Sequence, residues 1–278
     1  NGLSFLGDFL VSLESQNYPL DRIRMFFIDN ASCDGSVEYV RGFNSSFDIQ
    51  VIENKKNVGF ARANNQVFSR CTSEYVVLLN NDTKVKGDWL VKLVEVIDAD
   101  STIGMACSRR IPREAPRYID SETKEVSWCS GGSCIIRRSA LEEVGYFDEE
   151  FFMYGEDNDL SWRMWLAGYR CVYAEGSVYE HHYGRPESYK FRRTYHYTKS
   201  SILLRYAYSD MAEIVNAYLF NAKVALSLLL KKLDLLQWSA ISLALLSHIF
   251  SLPHFLRKRR LLRKNSRFEY IKDKWINL

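Results

Sequence analysis

Tyr75-Val76-Val77-Leu78-Leu79-Asn80-Asn81-Asp82-Thr83 joins five apolar or aromatic residues directly to two amides, a carboxylate and a hydroxyl. Five residues is the usual length of a strand, and a run apolar on both faces fits a strand covered by helices on either side. In open sheets of that kind, ligands lie beyond the carboxyl ends of the strands, where Asn80, Asn81 and Asp82 fall.

The same grammar repeats outward from this stretch. Apolar runs at 25–29, 50–53 and 103–107 alternate with amphipathic segments at 3–16, 61–70 and 89–98; the first of these sets Leu6, Phe9, Leu10 and Leu13 on one face. Alternating runs of this type predict an α/β domain with a mixed, mostly parallel sheet flanked by helices. Two further strands are expected at 134–137 and 171–174. A helix opens at Gly155-Glu156-Asp157-Asn158-Asp159 and ends at Gly168. Beyond about residue 190 the pattern is helical with no strand signal, which divides the chain into a domain at 1–190 and a C-terminal helical appendage at 191–278.

With 278 residues, 47% of them apolar and 14% aromatic, the chain buries a full core. The net charge of +3 is small, but Arg257, Lys258, Arg259, Arg260, Arg263, Lys264 and Arg267 crowd one short stretch. A single basic patch excludes a nucleic-acid-binding protein, because nothing else in the chain presents a basic surface. The six cysteines show neither a disulfide framework nor finger spacing, and no secretory signal accompanies them. A reduced, cytoplasmic setting is therefore expected.

Several polar residues are placed for chemistry. Asp82, just past a buried strand, suits Mg²⁺ or Mn²⁺, hard cations that take oxygen ligands and also hold diphosphates; an ordinary Asx-rich turn is the alternative. Three carboxylates at residues 156–159 stabilise a helix start in any protein. Helical spacing separates them, however: Asp157 shares an inward face with Leu160, Ser161 and Met164, whereas Asp159 stands four residues before Arg163 and is expected in a surface ion pair. An inward carboxylate at an apolar edge has a raised pKa and can act as a general base. His181 and His182 follow a strand, and either imidazole suits a metal site begun by Asp82. Asp29 ends a strand where an acid can accept from a ribose hydroxyl or a base edge, while Asn30 and Ser32 also read as helix caps. Residues 57–65 supply Gly59 for close backbone approach and then a helix start carrying Arg62, which suits a phosphate or a base.

Taken in order, Ile28-Asp29-Asn30-Ala31-Ser32-Cys33-Asp34-Gly35-Ser36, Asn57-Val58-Gly59-Phe60-Ala61 with Asn64-Asn65, Leu78-Leu79-Asn80-Asn81-Asp82, Ser130-Gly131-Gly132 and Gly155-Glu156-Asp157-Asn158-Asp159-Leu160 resemble family 2 glycosyltransferases of the GT-A fold, in the rhamnosyl- and galactofuranosyltransferase-like branch. The likeness runs from Asn1 to about Gly184. It implies an inverting, metal-dependent transfer of a sugar from a UDP- or dTDP-sugar to a glycan or lipid-linked hydroxyl. The donor would be held by Asp29, Asn30, Asn57, Gly59, Arg62, Asn64, Asn80 and Asn81, and the acceptor by Trp128, Gly131, Gly132 and Glu156. Asp157 would be the base, and Asp82 and His181 would hold Mg²⁺ or Mn²⁺. One departure is that Asn80 replaces the first acid of the family's Asp-x-Asp, which leaves less charge for the metal. Relatives also begin with a strand ending in a Tyr-Asn-Gly-like turn, and Asn1-Gly2 resembles its tail, so the first strand is expected to be absent and the donor site incomplete. The stretch 109–126 is expected to border the acceptor.

The apolar runs at 211–230 and 235–252 are interrupted by polar residues such as Glu213, Asn221, Asp234 and Gln237, so in-plane amphipathic helices are expected rather than spans. With the basic segment after Pro253 they suit an anionic membrane surface, and peripheral attachment to the cytoplasmic face follows; a dimer contact is the alternative use of this surface. Two rival readings are a sugar-phosphate nucleotidyltransferase, whose phosphate loop is not visible, and an inactive membrane scaffold.

Overall fold

The computed structural model describes residues 1–113, 118–182, 189–230 and 233–276. Helix α1 (Leu3–Glu14) buries Leu6, Phe9 and Leu10, as its periodicity requires. Strand β1 (Arg24–Asp29), helix α2 (Ser36–Arg41) and strand β2 (Asp48–Glu53) form a βαβ unit with parallel strands in register from Arg24↔Asp48 to Asp29↔Glu53. There follow α3 (Phe60–Phe68), β3 (Tyr75–Leu79), β4 (Thr83–Val85), α4 (Trp89–Asp98), β5 (Ile103–Ile111), β6 (Ser133–Arg137), α5 (Arg138–Val144), α6 (Glu156–Ala167) and β7 (Arg170–His181). These later strands make a five-stranded sheet in the order β3-β6-β5-β7-β4.

The α/β architecture agrees with the sequence, but the sheet is not mostly parallel. Three of the five strand pairings among the described residues are antiparallel, β3 with β6, β5 with β6, and β4 with β7. Strand β6 returns between β3 and β5. A strand roofed by helices is apolar on both faces whichever way its neighbours run, so the composition of residues 75–79 says that they are covered and nothing of direction. Strand β4, three residues long, is below what a periodic pattern reveals. Its pairing Thr83↔His181 nevertheless places the end of β7 beside Asp82.

Within the stretch 109–126, residues 114–117 lie outside the described residues, as does Gly184. Residues 124–126 hydrogen-bond to Cys171 and Tyr173 at the start of β7, remote from His181. The second half of this stretch thus edges the start of β7, two residues before Trp128.

The C-terminal region consists of α7 (Tyr189–Tyr208), α8 (Met211–Leu230), α9 (Leu235–Ser247), α10 (Leu252–Leu262) and α11 (Phe268–Ile271), followed by a wider turn to Ile276. It shares the core of the sheet rather than standing apart from it. Phe255, Phe268, Ile271 and Trp275 belong to one buried cluster with Met105, Leu160, Trp165 and Tyr208. At about 1.5–3 kcal/mol for each fully buried large apolar side chain, these four residues match the net stability of a typical domain, about 5–15 kcal/mol.

The basic run divides between two faces of α10. Lys258 and Arg259 turn inward, Lys258 to Asp148 and Asp159, and Arg259 to the carbonyls of Tyr206 and Ser209. Arg263 is exposed but paired with Asp210. Arg257, Arg260 and Lys264 remain exposed with Leu256 and Leu261, at positions three or four apart. The expected basic surface is thus narrower than the sequence suggested, because folding draws part of it into the core.

Candidate active site

The site gathers at the ends of β1, β3 and β7 and at the start of α6. Asp29 closes β1, is buried, and accepts a hydrogen bond from the Ser32 N–H at 2.8 Å. The turn after it is fastened by Asp34, which accepts from the Ser36 hydroxyl at 2.5 Å and the Leu3 N–H at 3.0 Å. Burial raises the Asp34 pKa, but those bonds win and hold it at about 2. The Asn30 side-chain amide donates to the Gly59 carbonyl (3.3 Å) and its oxygen accepts from Asn54 (3.0 Å), whose own oxygen accepts from Gln66. A line of amides thus joins the ends of β1 and β2 to α3.

Gly59 is required by geometry. Its φ is 90°, and a Cβ built there would come 2.4 Å from the Phe152 carbonyl oxygen. The Asn57 side chain accepts from the Gly59 N–H at 3.0 Å, and the Phe60 N–H donates to Phe152 O at 2.7 Å. The turn before α6 therefore meets the loop before α3 backbone to backbone. Arg62 instead points to the surface, where its Nε donates to Glu149 at 2.9 Å. Asn64 donates back to the Phe60 carbonyl and Asn65 to the Phe147 carbonyl. Of the expected donor contacts, Asn30, Asn57 and Gly59 converge, whereas Arg62 and Asn64 are committed to other partners.

At the end of β3, the Asn80 N–H donates to the Gly132 carbonyl at 3.0 Å, and the Asn80 amide lies 3.7 Å from a Cβ built on Gly132. Asn81 reaches back to Gly2. Asp82 is 2% exposed, its carbonyl accepts from the His182 N–H, and its Oδ1 lies 3.6 Å from His181 Nε2. Between the two histidines, His181 faces Asp82, while the His182 ring stacks on Phe5 at 5.5 Å. Among the described residues no group of three His, Cys, Asp or Glu side chains gathers at ligand spacing. The pair itself, one carboxylate and one imidazole, suits a divalent cation whose remaining ligands come from substrate phosphates and water.

Asp157 completes the arrangement. It faces inward, accepting from the Gly131 N–H at 3.1 Å and the Asn158 N–H at 2.9 Å. Burial raises its pKa, and these donors limit the rise. Glu156 beside it is buried, its Oε2 has no hydrogen-bond partner among the described residues, and burial together with the Asp157 charge pushes its pKa well above the usual carboxylate range. A Cβ on Gly131 would sit 3.3 Å from the Phe60 ring and 3.7 Å from Asp157 Cβ, so the glycine leaves room for three groups to meet. Trp128 is half-buried just upstream. The segment 130–132 thus binds the Asp82 side through Asn80 and the Asp157 side through Gly131, joining two carboxylates distant in sequence.

Asp159 corrects one expectation. It does pair with Arg163 (2.9 Å), but at 0% exposure and with Lys258 at 2.5 Å and the Tyr208 hydroxyl at 2.8 Å. Burial raises its pKa, yet these partners hold it at about 2. Helix α10, invisible to a local reading of α6, roofs it. Sequence reasoning also missed the turn at 151–155, where Tyr154 (φ 68°) and Gly155 (φ 89°) both adopt left-handed backbone. Only Gly155 signals it in the sequence.

Comparisons with known proteins agree with this fold. Residues 1–145 match the family model described as Glycosyl transferase family 2, and residues 75–256 match that described as Glycosyl transferase family group 2. The poly-beta-1,6-N-acetyl-D-glucosamine synthase of Staphylococcus epidermidis is 26% identical over 184 residues, 60% of this chain and 44% of that one. The N-acetylglucosaminyl-diphospho-decaprenol L-rhamnosyltransferase of Mycobacterium tuberculosis is 42% identical over 64 residues, 23% of this chain and 21% of that one. The chain thus spans less than half the length of these curated relatives. Among solved structures, a mannosyltransferase from Pyrobaculum calidifontis in complex with GDP-Man and Mn²⁺ is similar in fold (TM-score 0.63, 19% identity, 93% of this chain and 71% of that one). So is residues 1–349 of S. aureus TarS in complex with UDP-GlcNAc (TM-score 0.62, 17% identity, 99% and 88%).

Proposed function

The chain belongs to glycosyl transferase family 2, and from that premise we propose that it moves a sugar, with inversion, from a UDP- or dTDP-sugar to a hydroxyl of a glycan or lipid-linked acceptor in the synthesis of a surface polysaccharide or glycoconjugate. The observation that carries this reading is the 130–132 bridge, hydrogen-bonded on one side to Asn80, two residues from Asp82, and on the other to Asp157.

Asp157 is the base. Its raised pKa suits it to take the proton of the acceptor hydroxyl, which then attacks the anomeric carbon in a single displacement and inverts it. The Gly131 N–H orients the carboxylate for that transfer. Asp82 and His181 would hold Mg²⁺ or Mn²⁺, as the Mn²⁺ complex of the mannosyltransferase suggests by analogy, and the cation would offset the charge of the departing nucleoside diphosphate. Asp29, Asn30, Asn57 and Gly59 form the nucleotide side, Asn80 and Asn81 the diphosphate side, and Trp128, Gly131, Gly132 and Glu156 the acceptor side.

We also place the protein at the cytoplasmic face of a membrane. Met211–Leu230 and Leu235–Leu262 are long and apolar enough to cross one by length and composition. The outward stripe Leu243, Leu246, Ile249 and Phe250 continues into Leu256, Arg257, Arg260, Leu261 and Lys264, which favours an interfacial position against anionic lipid. Co-sedimentation with vesicles containing phosphatidylglycerol, but not with phosphatidylcholine alone, is the expected result; equal binding to both would remove the electrostatic part.

The deciding experiment incubates wild type and Asp157→Asn with Mn²⁺, a panel of UDP-, dTDP- and GDP-sugars and polyprenyl-linked or oligosaccharide acceptors, and reads the released nucleotide and the product anomer. Nucleoside diphosphate release with inversion, lost in Asp157→Asn, is expected. Equal activity of the two proteins rules out Asp157 as the base, and release of sugar 1-phosphate, the leaving group when the nucleotidyl phosphorus is attacked, would instead indicate nucleotidyl transfer.

A further inference from the structure

The proposed reaction leaves unexplained why a lysine of the C-terminal helix is carried into the neighbourhood of the base. Lys258 Nζ lies 2.6 Å from Asp148 Oδ2 and 2.5 Å from Asp159 Oδ1, and its side chain is 13% exposed. The two carboxylates bracket residues 148–159, the segment that includes Glu156 and Asp157. Inside it, Tyr154 holds a left-handed backbone that non-glycine residues adopt only when their surroundings impose it. Its surroundings include the Phe60 N–H on Phe152 O, the Ser200 hydroxyl on Met153 O, the Tyr189 hydroxyl on the Met153 sulfur, the Tyr197 ring beside Tyr154, and the lysine across both ends.

A buried cluster of this kind is a poor choice for stability alone, since apolar packing of the same volume does as well or better. What it supplies is directionality. One ammonium that must satisfy two carboxylates fixes the separation of the two ends, which a hydrophobic contact does not.

We propose that Lys258 is a positioning residue for glycosyl transfer, fixing residues 148–159 so that Asp157 stays on the Gly131 N–H and in line with the acceptor. This rests on the reading of Asp157 as the base. Lys258 pairs with Asp148 and Asp159 and acts through them.

The test compares the full chain carrying K258M, K258R and the triple change K258M/D148N/D159N with wild type. It measures kcat and donor KM, thermal midpoint, and amide hydrogen exchange by segment. For K258M we expect kcat to fall at least tenfold, donor KM to stay within about threefold, and exchange to rise within 148–159 more than in the sheet, with K258R recovering part of kcat. The triple variant, which removes both carboxylates that K258M strips of their ammonium and leaves Arg163 its bonds to the carbonyls of Val144, Gly145 and Tyr146, should regain part of the thermal stability without regaining kcat. The proposal is overturned if K258M keeps kcat within twofold of wild type, or if the triple variant restores kcat along with stability, since Lys258 would then only neutralise buried acid. Should wild type turn over no nucleotide sugar, the functional reading fails by itself. Lys258 is then judged on exchange alone, and unchanged protection of 148–159 in K258M overturns its role in holding that segment.

Discussion

The side of helix α6 that faces residues 130–132 and the side that faces α10 each withdraw a carboxylate from water, and they drive it in opposite directions. Asp157, facing the 130–132 turn, accepts from the backbone N–H groups of Gly131 and Asn158 and has its pKa raised by burial. Two residues on, Asp159 is more deeply enclosed, yet Lys258, Arg163 and Tyr208 keep it ionised to about pH 2. Burial by itself therefore does not decide protonation; the charge of the nearest partner does. A group surrounded by fixed cations is a poor base because its proton affinity is lowered, whereas one held by peptide dipoles and raised by burial keeps more of it.

The largest test of that contrast is kinetic. Asp157→Asn should cost about two to four orders of magnitude in kcat while leaving thermal stability unchanged or improved, since it removes a desolvated charge. A loss of stability comparable with that of an Asp159 variant would erase the distinction between the two sides. Next comes Asp159→Ala, which leaves Lys258 and Arg163 buried against a missing partner and should cost about 3–5 kcal/mol in urea unfolding. A change under about 1 kcal/mol would show that the enclosure is open to water. Smaller is Gly59→Ala, which puts a Cβ against the Phe152 carbonyl at a φ of 90°. It should cost about 1–3 kcal/mol and raise donor KM more than it lowers kcat.

The smallest effect is on pH dependence, and its sign differs between the two sides. Asp159, with its folded pKa below the ordinary 3.8, contributes stability above that value and loses it as pH falls toward about 2. Asp157 and Glu156, with raised folded pKa values, bind protons more tightly folded than unfolded, so they cost stability at neutral pH and that cost is relieved on acidification. The acid limb of kcat/KM should consequently lie above the ordinary carboxylate pKa, with the fold still intact by circular dichroism. Simultaneous loss of activity and structure in one acid transition would contradict this.

Much of this was legible in the sequence, and its failures have physical causes. The pairing of Asp82 with a histidine is expected from ligand chemistry, and His181 in particular from the family resemblance, whereas the positions of most strands and the inward direction of Asp157 follow from local periodicity and from the abrupt change at Leu79-Asn80. Strand direction did not, because burial on both faces is the same for either sense of pairing. Nor did the roofing of Asp159 or the splitting of the basic run, since both depend on α10 meeting α6 across about a hundred residues of chain. Arg62 had the right charge for a phosphate, but its partner Glu149 lies in a loop with no pattern of its own.

The peptide-to-peptide contact between Phe60 and Phe152 has an evolutionary corollary. Because the loop before α3 and the turn before α6 are joined through main-chain atoms, the joint depends little on the side chains around it and most on the one missing at Gly59. On the proposed reading, a change of donor sugar by point substitution would then leave the frame around Asp157 intact.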